Sequence, residues 1–266
     1  MNKDDTFPLP PISSTELPAR LRIAQFLILP PHQSFGHGTH LYTTIQSKCF
    51  TDPTVVELTV EDPNEEFDAL RDTADYYILE PEFTKNDVNI NADAIDKKQR
   101  IRRVPTAALI PVQKLHEIRT SHKIQSTQFA HIVEMFLLSR IPLKNRKKGG
   151  ANMARLLIRK YRTDNPDERR YYWWRMLVKQ RLYKRSRDLL IQLDSSDRVQ
   201  KLDETVDFVE DGYESSLATF AEREKALQER KKEEYGKGKS KEKEHGTKRK
   251  SADASNGEGM AKRSKA

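Results

Sequence analysis

Cysteine is almost absent: Cys49 is the only one in 266 residues. That excludes internal disulfides and cysteine-rich zinc modules, and it fits a reducing compartment. Long apolar runs are absent too. Phe26-Leu27-Ile28-Leu29 is about as long as they become, against the roughly 18 residues a bilayer-crossing helix needs. A transmembrane protein is therefore not expected. Near the start, Asp4, Asp5, Pro8, Pro10 and Pro11 stand where a signal peptide would carry a basic end and an apolar stretch, so no secretion signal is expected. Apolar residues make up only 36% of the chain and charged residues 33%, where ordinary soluble domains have roughly 45–50% and 25%. One core of modest size with a large solvated remainder follows.

The last part of the chain lacks most. Residues 230–266 contain no Ile, Leu, Val, Phe or Trp, yet carry 13 Lys/Arg and 6 Asp/Glu. Such a segment cannot bury enough surface to offset its ordering entropy, so it reads as a disordered basic tail. Of the formal net charge of +8, the tail holds +7. The body is nearly neutral, and the basic pI describes the tail rather than the fold.

Within the body, Pro8, Pro10, Pro11 and Pro18 make residues 1–20 irregular. Residues 21–29 read as a strand buried on both faces, ended by Pro30-Pro31. A glycine loop, Gln33-Ser34-Phe35-Gly36-His37-Gly38, opens into a helix through about Lys48. Asp52-Pro53 breaks that helix, and the β-branched run over 54–60 reads as a second strand. Strand, glycine loop, helix, strand is a βαβ crossover whose two strands should be parallel. Asp62-Pro63-Asn64-Glu65 then signals a helix running to about Leu79, with Asp62 or Asn64 as its cap. From about Asn86 onward the pattern is helical. The apolar stripe of Phe129, Ile132, Val133, Phe136, Leu137 and Ile141 marks one helix over 126–141, and Asp164-Asn165-Pro166 starts another. A last helical region covers about 199–232. Within 171–187, Tyr171, Trp174, Val178 and Leu182 share a face suited to core packing. Lys179, Arg181, Lys184, Arg185 and Arg187 then read as a solvated basic face rather than a nucleic-acid platform.

A strand followed by Gln-x-x-Gly-x-Gly and a helix is a phosphate cradle in outline, although the same pair of glycines serves close packing in many βα turns. It is neither a Walker loop nor a dinucleotide fingerprint. No set of His and carboxylate residues surrounds His37 at metal-ligand spacing, so no metal is expected. Cys49 reads as a small packing residue.

Three stretches together resemble one family. They are Arg22-Ile23-Ala24-Gln25-Phe26-Leu27-Ile28-Leu29-Pro30-Pro31, the Gln33 to Gly38 loop, and Val56-Glu57-Leu58-Thr59-Val60-Glu61-Asp62-Pro63. The likeness extends through Phe67-Asp68-Ala69-Leu70-Arg71-Asp72, and more weakly through the Arg/Lys-rich residues 172–189. In these the chain is similar to the catalytic subunit of type B histone acetyltransferases, a branch of the GNAT N-acetyltransferases. The resemblance implies an α/β fold: a partial GNAT acetyltransferase fold (strand–glycine loop–helix–strand), followed by an all-helical C-terminal domain and the basic tail. It divides the chain into an irregular segment (1–20), an acetyl-CoA-binding part (21–84), a helical domain (85–229) and the tail (230–266). Family members carry a long portion before the cofactor strand, and here 20 residues precede Leu21. The chain thus looks like one lacking the family's N-terminal portion.

Carried over residue by residue, the resemblance implies that Phe26, Leu27 and Ile28 offer backbone groups to the acetyl and pantetheine portion of acetyl-CoA. It implies that Gln33, Ser34, Phe35, Gly36, His37, Gly38 and Thr39 wrap the pyrophosphate with their amides. Ser34 and Phe35 depart from the usual glycine-rich pattern, and Asn64 looks like a further cofactor contact. Glu61 is the expected general base and Asp62 the second candidate, because a lysine amine with a pKa near 10.4 must lose a proton before it attacks a thioester. The implied substrate is the N-terminal tail of newly made, free histone H-4. The implied partner is a WD-repeat histone chaperone subunit, and the implied location is nucleus and cytoplasm. Lys248-Arg249-Lys250 and Lys262-Arg263 suit nuclear import or a weak nucleic-acid contact. No membrane contact is expected. The alternative function is a truncated, non-catalytic histone- or chaperone-binding protein.

Overall fold

Short β-branched segments pair where a neighbour of matching length exists, and here the neighbour is six residues long. In a computed structural model, which describes the backbone of residues 17–256 and the side chains of residues 17–229, strand β1 (Ala19–Ile23) runs parallel to β2 (Val55–Val60). Ile23 stands opposite Val60 at the end of the ladder. The crossover is therefore parallel, as its sequence pattern predicts. The first strand differs from the one expected over 21–29: it begins at Ala19 and stops where β2 runs out. Residues 24–29 lie outside the ladder, with Leu27 75% and Leu29 60% exposed. Nor is β1 buried on both faces, since Ala19, Arg20, Leu21 and Arg22 are exposed and only Ile23 is buried. The far edge of β2 meets a single residue, Ile124, through a bridge in which the Leu58 amide donates to the Lys123 carbonyl at 2.8 Å.

Helix α1 (His37–Thr51) covers this pair and ends at Asp52, where the following proline prevents continuation. Its last turn is held by Lys123, whose ammonium donates to the carbonyls of Cys49 (2.8 Å) and Asp52 (2.7 Å). A cation there complements the negative end of the helix. Helix α2 (Glu65–Lys85) begins at the Asn64 cap, with Glu65, Glu66 and Asp68 in its first turn. It runs past the expected end at Leu79 and through Pro81. Leu79 and Phe83, both fully buried, anchor the segment on either side of the proline. Ile23, Tyr42, Cys49, Val55, Leu58 and Phe67 form the core between the strands and these two helices.

The remainder is helical: α3 (Thr106–Leu109), α4 (Val112–Ser121), α5 (Ser126–Ser139), α6 (Met153–Arg159), α7 (Pro166–Arg185), α8 (Arg187–Leu190) and α9 (Ser195–Asn256). The α5 stripe read from the sequence is buried, Ile141 included. Asn165 caps α7 by accepting from the amides of Asp167 and Glu168, and proline occupies the first turn. Tyr171, Trp174 and Val178 are fully buried on one face, each contributing roughly 1.5–3 kcal/mol of burial. The basic residues of α7 are not all solvated, however. Lys179 pairs with Asp203 at 2.5 Å and Arg181 with Glu134 at 2.7 Å, because acids on other helices face them.

The chain divides into two compact units, Met1–Leu217 and Ala218–Ala266. Of the irregular segment expected over 1–20, residues 1–16 lie outside the described residues, and Ala19 and Arg20 belong to β1. The backbone of α9 is helical to Asn256, where composition alone predicts a disordered tail from 230 onward. Lys, Glu and Arg are strong helix formers. Lys262 and Arg263 lie outside the described residues. Among the described residues no helix is long and apolar enough to cross a membrane.

Candidate active site

Between β1 and α1 the chain makes a turn that glycine permits. A short 3-10 turn, Pro30–His32, follows residues 24–29. The Gln33 side-chain amide then donates back to the Ile28 carbonyl at 2.9 Å, pinning the loop to that segment. Ser34 and Gly36 both have positive φ, +64° and +85°, and at Gly36 a side chain would be strained. Gly36 is the N-cap residue of α1, and no side chain caps this end. The first intrahelical bond runs from the His40 amide to the Gly36 carbonyl at 3.0 Å. The amides of His37 and Gly38 therefore have no acceptor within the helix and sit at its positive pole. Gly38 has a second role: a Cβ there would lie 2.9 Å from Leu70 Cδ1 and 3.7 Å from both Ile28 and Phe26. Its bareness lets α1 pack against residues 26–28 and α2.

The other loop residues settle around this turn. Phe35 is exposed, so its bulk does not fill the loop. The His37 ring lies edge-on to His32 at 6.2 Å, and the Thr39 carbonyl accepts from the Thr43 hydroxyl. The Phe26 ring packs on Phe67 at 4.5 Å. Because residues 26–28 have left the ladder, their amides donate to no backbone carbonyl among the described residues. The segment thus presents backbone donors beside the mouth of the glycine turn.

Glu61 follows β2 directly. Its amide donates to the Ile23 carbonyl at 3.0 Å, which fixes it beside the point where β1 leaves the ladder. Its carboxylate is half exposed and lies 3.7 Å from the Arg22 guanidinium. Asp62 has φ +38° and turns the chain toward α2. The helix cap is Asn64, whose side-chain oxygen accepts from the Phe67 amide at 2.9 Å, so capping does not account for Asp62. The same bond engages the side-chain oxygen of Asn64. Cys49 is a buried free thiol in the core, and burial pushes its pKa up.

Sequence reasoning misses the polar layer behind the site. Tyr42 and Gln46 of α1 both donate to Asp75 of α2, each at 2.9 Å. Gln128 of α5 donates to Asp75 at 3.0 Å and to Asp72 at 2.8 Å. Burial pushes Asp72 up to about 7 and Asp75 up to about 6. The signal in the sequence was faint: polar residues recurring on the inner faces of α1, α2 and α5.

A parallel βαβ crossover, with a helix N-terminus that no side chain caps after a left-handed glycine, defines an α/β protein whose turn leaves backbone amides at the positive pole of a helix. Comparison with known proteins narrows that class. The chain is 68% identical over 227 residues to the histone acetyltransferase type B catalytic subunit of Aspergillus oryzae, covering 84% of this chain and 44% of that protein. It is 69% identical over 232 residues to the same subunit of Aspergillus fumigatus, covering 86% and 41%. With the Emericella nidulans subunit it shares 59% over 229 residues, covering 85% and 46%. No family model matches the chain. By sequence the chain belongs to the family of type B histone acetyltransferase catalytic subunits, and it spans less than half the length of these relatives.

Proposed function

We propose that this chain carries the cosubstrate-binding and proton-accepting part of a type B histone acetyltransferase, which moves the acetyl group of acetyl-CoA to lysine side chains of free histone H-4. The observation that carries this reading is the place of Glu61: tied by its backbone to Ile23, where the chain leaves the ladder toward residues 26–28, whose amides donate to no backbone carbonyl among the described residues. The residues present suit acetyl-CoA. The amides at the start of α1 favour its diphosphate, and the space left by Gly38 draws that helix end close to residues 26–28. Gln33, Ser34, Phe35, Gly36, His37, Gly38 and Thr39 form the diphosphate loop, and Phe26, Leu27 and Ile28 line the acyl arm. When bound, acetyl-CoA supplies an activated thioester.

The chain's own part is proton and charge management. A substrate lysine arrives as ammonium, and Glu61 accepts one proton from Nζ, directly or through a water. Asp62 is a second acceptor at the same turn. The neutral amine bonds to the acetyl carbon, the carbon–sulfur bond breaks, and the nitrogen's surplus proton passes through solvent to the departing thiolate. Backbone amides of residues 26–28 stabilise charge on the carbonyl oxygen during the transfer. Arg22, 3.7 Å from Glu61, is its ion-pair partner at this turn. A WD-repeat histone chaperone as partner subunit, residence in nucleus and cytoplasm, and a weak nucleic-acid contact through the basic tail belong to the same reading.

The exposure of Leu27 and Leu29 favours a second reading, a histone- or chaperone-binding chain without turnover. One experiment separates the two. Labelled acetyl-CoA and a histone H-4 tail peptide are incubated with the purified 266-residue chain and with Glu61→Gln. Transfer that falls by at least about a hundredfold in the variant, the scale of general-base contributions, with acetyl-CoA binding retained, supports the enzyme. A folded wild-type chain that transfers nothing overturns it and leaves the binding reading.

A further inference from the structure

Away from the strands, six cations gather where the sequence shows only two short basic clusters. Arg100, Arg102 and Arg103, in the segment before α3, and Arg159, Lys160 and Arg162, at the end of α6, line one open cleft of about 450 Å3. No Asp or Glu lines it. None of the six forms an ion pair within 4.0 Å among the described residues, although Asp164, whose pKa is lowered chiefly by its hydrogen bond from Lys97, also feels Arg159, and the Arg162 guanidinium sits 5.9 Å above the Tyr161 ring. Elsewhere in this body arginines are matched with acids: Arg146 with Glu214, Arg175 with three carboxylates and Arg181 with Glu134. The cleft is thus a local excess of positive charge in a concave, partly low-dielectric setting, which focuses the field on whatever enters.

Its walls are fixed. The Tyr161 hydroxyl donates to the Gln99 carbonyl at 2.5 Å and accepts from the Ile101 amide at 3.3 Å, holding the first cluster over the second. Tyr161 stacks on Trp173 of α7 at 5.1 Å. Trp173 lines the cleft and is 1% exposed, and its indole N–H has no acceptor. An unpaired buried donor is costly and marks a place where an acceptor would be welcome.

We propose that this cleft binds a compact polyphosphorylated anion. Five of the six cations are arginines, whose planar forks match phosphate oxygens bidentately. The volume lies in the range of small-molecule sites. A nucleic-acid strand is the poorer fit: strand binders offer ring faces on which bases stack, whereas Tyr161 and Trp173 stack on each other and are buried, and the half-buried Tyr172 is the one remaining ring in the lining. The site is built from elements other than those that carry Glu61 and the glycine turn, so it stands independently of the function proposed above.

The test titrates inositol hexakisphosphate, as probe, into the full 266-residue chain by calorimetry near physiological salt. Saturable one-to-one binding is expected. It should weaken at least about tenfold, or about 1.4 kcal/mol, when Arg102, Arg103, Arg159 and Arg162 are all changed to Gln. Arg→Lys at the same four positions should restore part of the affinity, which an unfolded variant would not do. Lys248→Gln/Arg249→Gln/Lys250→Gln should leave it unchanged. Equal affinity in the four-Gln variant overturns the proposal. So does loss caused by the tail variant, or tighter binding of a single-stranded oligonucleotide that the four-Gln change abolishes.

Discussion

Asp72 and Asp75 show what a single buried carboxyl does to a fold. Both lie between α1, α2 and α5 and accept hydrogen bonds from Gln128, while Arg71 and Asp68 on the same helix act on Asp72 with opposite sign. Desolvation dominates and raises Asp72 to about 7 and Asp75 to about 6, from an ordinary 3.8. The folded chain therefore holds protons that the unfolded chain has already released. The stability this contributes is full below about pH 4 and is lost as pH rises through about 6 and 7. Asp72→Asn removes one titration and keeps an oxygen for Gln128. Urea unfolding followed between pH 4 and 8 should then show a shallower decline in the variant than in the wild type. Parallel curves would show that Asp72 does not titrate in that window. None of this was legible from the sequence, because the partners of Asp72 and Asp75 lie far along the chain.

Elements were legible where their signals are local. Asn64 and Asn165 announce their helices because a cap and the amides that donate to it lie within three residues. The stripe of α5 is visible because helical period is a property of one segment. β1 was misplaced because pairing is not local. The apolar run over 26–29 looks like a strand, yet the ladder is set by where β2 begins and ends. The basic face of α7 is partly paired for the same reason: the acids that bind it sit on α5 and α9. Arg175 donates to Asp207 at 2.7 Å and Asp203 at 3.2 Å and lies 3.3 Å from Glu210, which also accepts from the Tyr171 hydroxyl. Arg175→Ala leaves Asp203 with Lys179 and Asp207 with Lys147, while Glu210, fully buried, keeps only the Tyr171 hydroxyl. Two of the three are partly exposed, so the loss belongs near the lower end of the usual range, about 3 kcal/mol. Arg170→Ala, which breaks a surface pair with Asp167, should cost no more than about 0.5 kcal/mol. Urea midpoints of the two variants test the contrast, and equal shifts would show that the α7–α9 network contributes nothing beyond a surface pair.

At the scale of the whole body, the candidate site and the bulk of the core lie in different places. Two strands are marginal as a sheet, and here one is exposed along four of its five residues. The core around them consists of a few side chains contributed mainly by α1, β2 and α2. The helical part buries much more: α5 alone has nine buried residues, and Tyr171, Trp173 and Trp174 of α7 are almost wholly enclosed. Opening of β1 exposes little apolar surface, whereas opening of α5 or α7 exposes most of the core. Local opening free energies should follow that order. Native-state hydrogen exchange should therefore show the ladder amides of β1 and β2 exchanging at least about tenfold faster than those in the middle of α5 and α7, a gap of about 1.4 kcal/mol or more. Equal protection would mean that the strand pair unfolds only with the helices and that its short core is fully coupled to theirs. The expected order also bears on the active site, because Glu61 is held by the last hydrogen bond beyond that ladder, from its own amide to Ile23. A ligand seated on the glycine turn and residues 26–28 binds the closed form alone and should slow exchange there first.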